Sequence, residues 1–405
     1  MIIRDIQVRE IFDSRADITL EFEVAGDKAR ACAGIPAGRS RGGNEVITVD
    51  YGRAKSSIDK ARKKLIGKSF SSIKSFDEAL KELDNTRRKE KIGGNVALGL
   101  SVAFTKLLAG EKEPWEVIQK EFFGARKSHE SGTNGTNTRK QPAIFANFIE
   151  GGAHAKNNLD IQEYLVVAES GKSIRDTIKK LITLYRKLHL QIEKSHRLHT
   201  IPIGDEGGID ENFRDNFKPI QILTKLIKSE KLEREFKIGL DAAANHFQKG
   251  KEYTLKGKKL ERKELQEIYK TYKDETGLLY SIEDPFGEKD EDGFRELQAE
   301  CEDLLIIGDD ITTTDPETIE RAAKEKLITG VIIKPNQIGT VTETCEAIQA
   351  AKNNNLKFVI SHRAGETEGV FIIQLARASS ADGVKIGAPY RERIDKYNEL
   401  LRLYE

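Results

Sequence analysis

LLYSIEDPFGEKDEDGFRELQAECEDLLIIGDD, residues 278–310, contains two short apolar runs, Leu279–Ile282 and Leu304–Ile307, each closed by acidic residues and parted by a segment with helical spacing. Short apolar strands alternating with helices are the mark of βα units, and in a barrel built from them the chemistry sits at the carboxyl ends of the strands. The same pattern recurs at Ile144–Phe148, Ile161–Val167, Phe236–Leu240, Val331–Ile333, Phe358–Ile360 and Val384–Ile386, which makes eight runs and predicts a closed barrel. Only Glu150-Gly151-Gly152-Ala153-His154 and a few polar residues join the first two runs. That is too little chain for a crossover helix, so this pair is expected to be antiparallel. Two helical segments, about Ser173–Lys194 and Pro219–Lys231, flank a glycine-rich loop at Gly204–Gly208 before the third run. The predicted order is β-β-α-α followed by repeated β-α units.

Upstream the pattern differs. Ile6-Gln7-Val8 and Ile18–Val24 alternate apolar and polar residues with a turn signal at Gly26-Asp27, which predicts an antiparallel meander. Helical spacing follows at Phe76–Leu83 and Asn95–Leu108. Strands then helices predict an α+β unit. The polar segment Lys127–Lys140, KSHESGTNGTNTRK, offers nothing to anchor in a core and marks the expected boundary. The fold class is therefore α/β, with an N-terminal α+β capping domain over 1–126 and a barrel domain over 141–405.

The 405 residues carry 67 Lys and Arg against 66 Asp and Glu, a net charge of +1 that gives no global attraction for nucleic acid or anionic membrane. Three widely spaced cysteines, Cys32, Cys301 and Cys345, fit reduced thiols better than a disulfide framework. The first residues, MIIRDIQVREIFDSR, lack the apolar core of a signal peptide, and the expected location is cytoplasmic. No nucleic-acid or membrane partner is expected.

Reading the charged residue in or just after each run gives Glu163, Asp241, Glu283, Asp309, Lys334, His362-Arg363 and Lys385 around one mouth. Single residues of this kind are often helix caps or solvated charge. A whole ring of them is not. Asp241, Glu283 and Asp309 on successive strands offer hard oxygen ligands suited to Mg²⁺. Lys334 and Lys385 would share the mouth with that cation, whose charge lowers a lysine pKa towards that of a working base. Glu163 and Glu206, the latter between the glycines of the 204–208 loop, form a second acidic pair able to act as general acid and hold water. A base, an acid and a divalent cation describe proton abstraction beside a carboxylate followed by elimination.

Phe12-Asp13-Ser14-Arg15, Gly151-Gly152-Ala153-His154-Ala155, Leu159-Asp160-Ile161-Gln162-Glu163, Gly204-Asp205-Glu206-Gly207-Gly208, Gly239-Leu240-Asp241-Ala242-Ala243-Ala244, Ser281-Ile282-Glu283-Asp284-Pro285-Phe286, Gly308-Asp309-Asp310, Lys334-Pro335-Asn336-Gln337-Ile338-Gly339-Thr340, Ser361-His362-Arg363 and Lys385-Ile386-Gly387-Ala388-Pro389, in this order, resemble enolase (phosphopyruvate hydratase) over almost the whole chain. The resemblance implies an enolase-type ββαα(βα)6 barrel and dehydration of the phosphorylated small acid 2-phosphoglycerate. A Lys or His base working with one or two Mg²⁺ ions is the general pattern of that superfamily. By resemblance, Lys334 is the base, Glu206 the acid with Glu163 beside it, and Asp241, Glu283 and Asp309 hold Mg²⁺. His154, Gln162, His362, Arg363 and Lys385 would bind substrate, Ser40 would hold a second Mg²⁺, and the chain would form a homodimer or higher homo-oligomer. Arg9 and Glu21 match positions that would face Glu392 and Arg402 of a second copy.

The departures from the family pattern are local. Ala16-Asp17-Ile18 stands where the family has Gly-Asn-Pro, Arg39 and Arg41 flank Ser40, and Ala364 replaces the serine after the phosphate arginine. Losing that hydroxyl removes one hydrogen bond to a charged acceptor, worth about 1.5–3 kcal/mol. The two arginines can replace it or select a different anion. Two other expectations therefore stay open: an enolase paralogue acting on another anionic 2-substituted acid, and a noncatalytic binding protein with the same fold.

Overall fold

The computed structural model describes residues 1–39, 43–124, 141–169, 171, 173–196 and 200–405. Ser40, Arg41 and the Lys127–Lys140 boundary lie outside the described residues.

The chain opens with the expected meander, β1 (Asp5–Phe12), β2 (Ile18–Ala25) and β3 (Arg30–Gly34), all antiparallel. Helices α1 (Tyr51–Leu65), α2 (Ile73–Leu83), α3 (Gly94–Ala109) and α4 (Pro114–Ile118) follow. Asp50 caps α1 by accepting from Arg53 N, and Ser72 and Ser75 form a reciprocal cap on α2. Helix α3 is buried on nearly every face and lies against the sheet. Gly99 permits that approach, since a Cβ there would fall 2.0 Å from the Phe22 ring.

The second unit is a closed eight-strand barrel. Its elements run β4 (Ala143–Glu150), β5 (Glu163–Ala168), α5 (Ile174–His196), α6 (Lys218–Ser229), β6 (Phe236–Asp241), a small sheet of β7 (Gln248–Lys249), β8 (Glu252–Leu255) and β9 (Lys258–Leu260), then α7 (Arg262–Thr276) and β10 (Leu279–Glu283). They continue through α8 (Glu291–Glu300), β11 (Leu305–Gly308), α9 (Pro316–Lys324), β12 (Gly330–Ile333), α10 (Pro335–Ile338), α11 (Val341–Asn353), β13 (Lys357–Ser361), α12 (Phe371–Ser379), β14 (Gly383–Lys385) and α13 (Ile394–Tyr404). Strands close in the order β10-β11-β12-β13-β14-β4-β5-β6. Phe145, Leu165, Val167, Ile307, Ile332 and Val359 pack into a cluster of their own, while alternate residues such as Ile144, Val166 and Ile360 join the core shared with the helices.

All neighbours in the barrel are parallel except those of β5, which runs against both β4 and β6. The expected antiparallel first pair is present. Reversal places the first residue of β5, Glu163, opposite the last residues of its neighbours, Glu150 and Asp241. The expected strand Ile161–Val167 begins two residues later than read. Gln162 is turned out of the ladder, its carbonyl accepting from Gly151 N at 2.9 Å and its N–H donating to Asp241 O at 3.1 Å.

The first unit docks onto the barrel mouth through backbone. Ala37 and Gly365 exchange hydrogen bonds at 2.8 and 2.9 Å, Ser14 N donates to Glu366 O, and Asn336 Nδ2 donates to Pro36 O. Cys32, Cys301 and Cys345 are free thiols. Among the described residues no helix is long and apolar enough to cross a membrane.

Candidate active site

Strand ends deliver most of the charged side chains named from sequence to one mouth. Arg39, His154, Glu206, Asp309, Lys334 and Arg363 line a single pocket there, with Gln162, Glu163, Asp241, His362 and Lys385. Glu283 ends β10 beside Asp241 in register, and its carboxylate meets the same lysine. Lys334 follows β12, while Glu163 starts β5, four strands away in a ring of eight and therefore on the opposite wall. The placement of Ser40 lies outside the described residues.

Two ammonium groups organise the carboxylates. Lys385 Nζ lies 2.9 Å from Glu163 Oε2, 2.9 Å from Asp241 Oδ2 and 2.8 Å from Glu283 Oε2. Lys334 Nζ bonds Asp309 Oδ2, while Gln337 Nε2 donates to Asp309 Oδ1 at 3.1 Å. Burial opposes both ammonium charges, but the surrounding carboxylates outweigh it and hold both lysines above their ordinary value. The expected lowering belongs to a mouth that also holds the cation, whose charge would oppose that of the carboxylates. Among the charges that raise Lys334, Asp309 acts most strongly.

Across the mouth, Glu206 Oε2 lies 3.1 Å from His362 Nε2, and His154 Nδ1 lies 3.4 Å from Glu163 Oε1 and 3.7 Å from Glu206 Oε1. The two glutamates diverge. Burial and the charge of Glu206 push Glu163 well above its ordinary value. At Glu206 burial acts the same way, but the His362 and His154 rings outweigh it and hold the carboxyl well below that value. The two carboxyls titrate as one pair, with Glu163 the more readily protonated member.

Arg363 sits on the side nearest the first unit. Its Nη1 donates to Asn336 Oδ1 at 2.8 Å, and Nη2 lies 3.5 Å from Glu45 Oε1. Backbone at Gly38 passes directly over this guanidinium, where a Cβ would come within 1.9 Å of Nη2. Arg39 bridges two loops, donating to Ala153 O at 2.7 Å and lying 3.3 Å from Asp205 Oδ2. Ala364 lines the same pocket.

Several site residues were not singled out from sequence. Glu150 is fully buried, and its Oε1 accepts from Glu206 N at 3.0 Å and Gly208 N at 2.6 Å, so the acid loop winds around it. It ends an apolar run like the residues that were named, and that pattern was enough to find it. Gln337 and Asn336 lie inside a quoted motif. Glu45 and Arg393 carry no local signal, because their partners are distant in sequence.

The chain matches the family model "Enolase, C-terminal TIM barrel domain" over residues 139–405 and "Enolase, N-terminal domain" over residues 3–115. The chain belongs to the enolase family. It is 33% identical to an enolase of Methanocaldococcus jannaschii over 99% of this chain and 94% of that one. An enolase of Archaeoglobus fulgidus is 34% identical, covering 100% and 98%, and one of Ehrlichia canis 34% identical, covering 98% and 95%. The enolase fold seen here, with its small sheet unit and barrel, agrees with both halves of that match.

The enolase mouth also has the chemistry of a metal site. Its donors are carboxylates, hard ligands that suit Mg²⁺. Among the described residues, Glu283 Oε1 is buried with no hydrogen-bond partner, as an oxygen reserved for a cation would be. Among the described residues, the groups of three whose ligand atoms already lie within 4.8 Å of one another are His154, Glu163 and Glu206, and Asp284, Asp309 and Asp310. Asp241 and Glu283 are instead drawn onto Lys385.

Proposed function

We propose that this enolase-family chain dehydrates 2-phosphoglycerate to phosphoenolpyruvate in glycolysis and gluconeogenesis, as a Mg²⁺-dependent carbon-oxygen lyase. The observation that carries the reading is a lysine, Lys334, only 13% exposed, and a buried carboxylate pair on opposite walls of one mouth, with a ring of carboxylates between them. Lys334 Nζ takes the C2 proton, and the C2–H electrons move into the substrate carboxylate. They return to form the C2–C3 double bond as the C3 hydroxyl leaves, taking the proton shared by Glu163 and Glu206. Lys385 holds the substrate carboxylate, Arg363 the phosphate, and His154, Gln162 and His362 shape the remaining wall. Asp241, Glu283 and Asp309 would hold Mg²⁺, with Ser40 on a second ion; the cation would neutralise the doubly charged carboxylate and take Asp309's charge from Lys334.

The same reading includes a cytoplasmic location, a homodimer or higher homo-oligomer, and division of the chain into 1–126 and 141–405. A second reading, elimination from a different anionic 2-substituted acid, is favoured by one observation: Ala364 beside Arg39 alters the phosphate wall. The test is ultraviolet absorbance of phosphoenolpyruvate formed from 2-phosphoglycerate, with Mg²⁺ and with chelator. Turnover abolished by chelator is expected. No turnover from protein that still binds Mg²⁺ would overturn the substrate assignment in favour of the second reading.

A further inference from the structure

Arg393, on the single helical turn that leads into α13, is completely buried yet lies in no strand end and in none of the motifs quoted above. Its side chain reaches back under the mouth. Nη1 bonds His362 Nδ1 at 2.8 Å and donates to Arg363 O at 2.9 Å; Nη2 donates to Asp205 O at 2.8 Å and to Ala364 O at 2.5 Å. Nε lies 3.2 Å from Glu392 Oε1. We infer that Arg393 is a positioning residue for the elimination: it fixes which ring nitrogen of His362 carries the proton, and it ties the loop bearing Glu206 to the loop bearing Arg363.

A guanidinium has donors only, so His362 Nδ1 must accept from it. The neutral ring then carries its proton on Nε2, the nitrogen that lies 3.1 Å from Glu206 Oε2. His362 donates to the acid rather than accepting from it, and its direction is set from behind by Arg393. Four acceptors around one planar fork also explain why arginine occupies the place. A lysine ammonium has three donors in a tetrahedral array and cannot serve all of them.

The charged groups that act on the His362 ring are Glu206, Arg393 and Glu366, the last held by Lys396 at 2.8 Å. Burial, reinforced by the Arg393 charge against that of Glu206, pushes the ring down to about 4, which keeps it neutral across the working range.

The inference takes its catalytic meaning from the proposed elimination, so its test has one arm that needs no turnover. In ¹⁵N-histidine-labelled protein, with His362 assigned by His362→Asn, nitrogen shifts should show the Nε2–H tautomer from pH 5.5 to 8. Arg393→Gln should give mixed tautomers and a ring midpoint raised towards 6. The second arm is the pH profile of 2-phosphoglycerate turnover. In Arg393→Gln, kcat/KM should fall about tenfold more at pH 5 than at pH 8, a new acid limb, with Mg²⁺ affinity unchanged. Arg393→Lys, the milder variant should the glutamine form not fold, should keep the charge but lose the single tautomer. An unchanged His362 tautomer in folded variants would overturn the inference, even if the protein proved inactive on 2-phosphoglycerate. So would a loss of activity that is uniform with pH and follows only a loss of thermal stability.

Discussion

Ala16 holds φ at 63°, the left-handed region, in the turn between β1 and β2. Asp13 builds that turn, its Oδ1 accepting from Arg15 N at 2.8 Å and Asp17 N at 3.1 Å, so the strain is imposed by neighbours that also dock on the barrel. An L-residue pays about 1–2 kcal/mol there relative to glycine. Ala16→Gly should therefore raise unfolding stability by about 1 kcal/mol, offset in part by glycine's chain entropy, in urea denaturation; an equal or lower midpoint would contradict it. At the mouth, Ala364→Ser should restore a phosphate hydrogen bond and lower KM for 2-phosphoglycerate about tenfold or more, as expected for a bond of about 1.5–3 kcal/mol to a charged acceptor. Arg39→Ala should move KM the other way, since it frees both Ala153 O and Asp205 from their shared partner. Steady-state kinetics with all three proteins decides between compensation and redirected specificity, because redirection predicts no gain from the serine. These residues were visible in sequence as departures from a pattern. Their contacts were not, because Ala153 and Asp205 are brought to Arg39 only by the closed barrel.

Helices α2 and α11 meet through Asp77, whose Oδ2 accepts from Thr342 N at 2.9 Å and Thr342 Oγ1 at 2.6 Å. Burial raises its carboxyl to about 7, against an ordinary value of 3.8, and the Thr342 bonds only partly oppose this. The folded state therefore binds a proton that the unfolded chain has released between those values. Stability is fully present below pH 3.8, falls as pH rises through the window, and levels off above about 7. Summed over the window this is about 4 kcal/mol at 1.36 kcal/mol per pH unit. Asp77→Asn keeps an accepting oxygen without the charge, so it should be the more stable protein at pH 8, with the gap closing near pH 4 in denaturant titrations. A gap that does not narrow on acidification would contradict the assignment. Element by element, the barrel strands could be read because each is a short apolar run with its polar residue at one end. The β7–β9 sheet could not be read. Its strands have only two to four residues, and although Glu252-Tyr253-Thr254-Leu255 alternates, Gln248-Lys249 and Lys258-Lys259-Leu260 are too short and polar to mark a face.

Across the whole chain, most carboxylates and lysines of the mouth were legible because they end or directly follow a strand, while Glu163 starts the reversed β5 and Glu206 stands in a glycine-rich loop. The supporting layer was not legible: Glu45 with Gln337, Ser14 with Glu366 and Arg393 with Asp205 pair residues far apart in sequence, and only docking of the first unit and the last helix brings them together. The proposed dimer has its own test. Within one copy Arg9 pairs with Glu21 at 2.8 Å and Glu23 at 2.7 Å, a cluster that a second copy would have to share. Glu21→Arg should shift the mass from light scattering towards monomer, and no shift would count against the assigned contact. The proposed division of labour across the mouth makes Lys334 the base and the Glu206–Glu163 pair the acid. Following loss of the C2 proton of 2-phosphoglycerate by NMR in D₂O with Mg²⁺ separates the two roles. Glu206→Gln should still exchange that proton while forming little phosphoenolpyruvate, and Lys334→Ala should do neither. Exchange at the wild-type rate by Lys334→Ala would contradict the account.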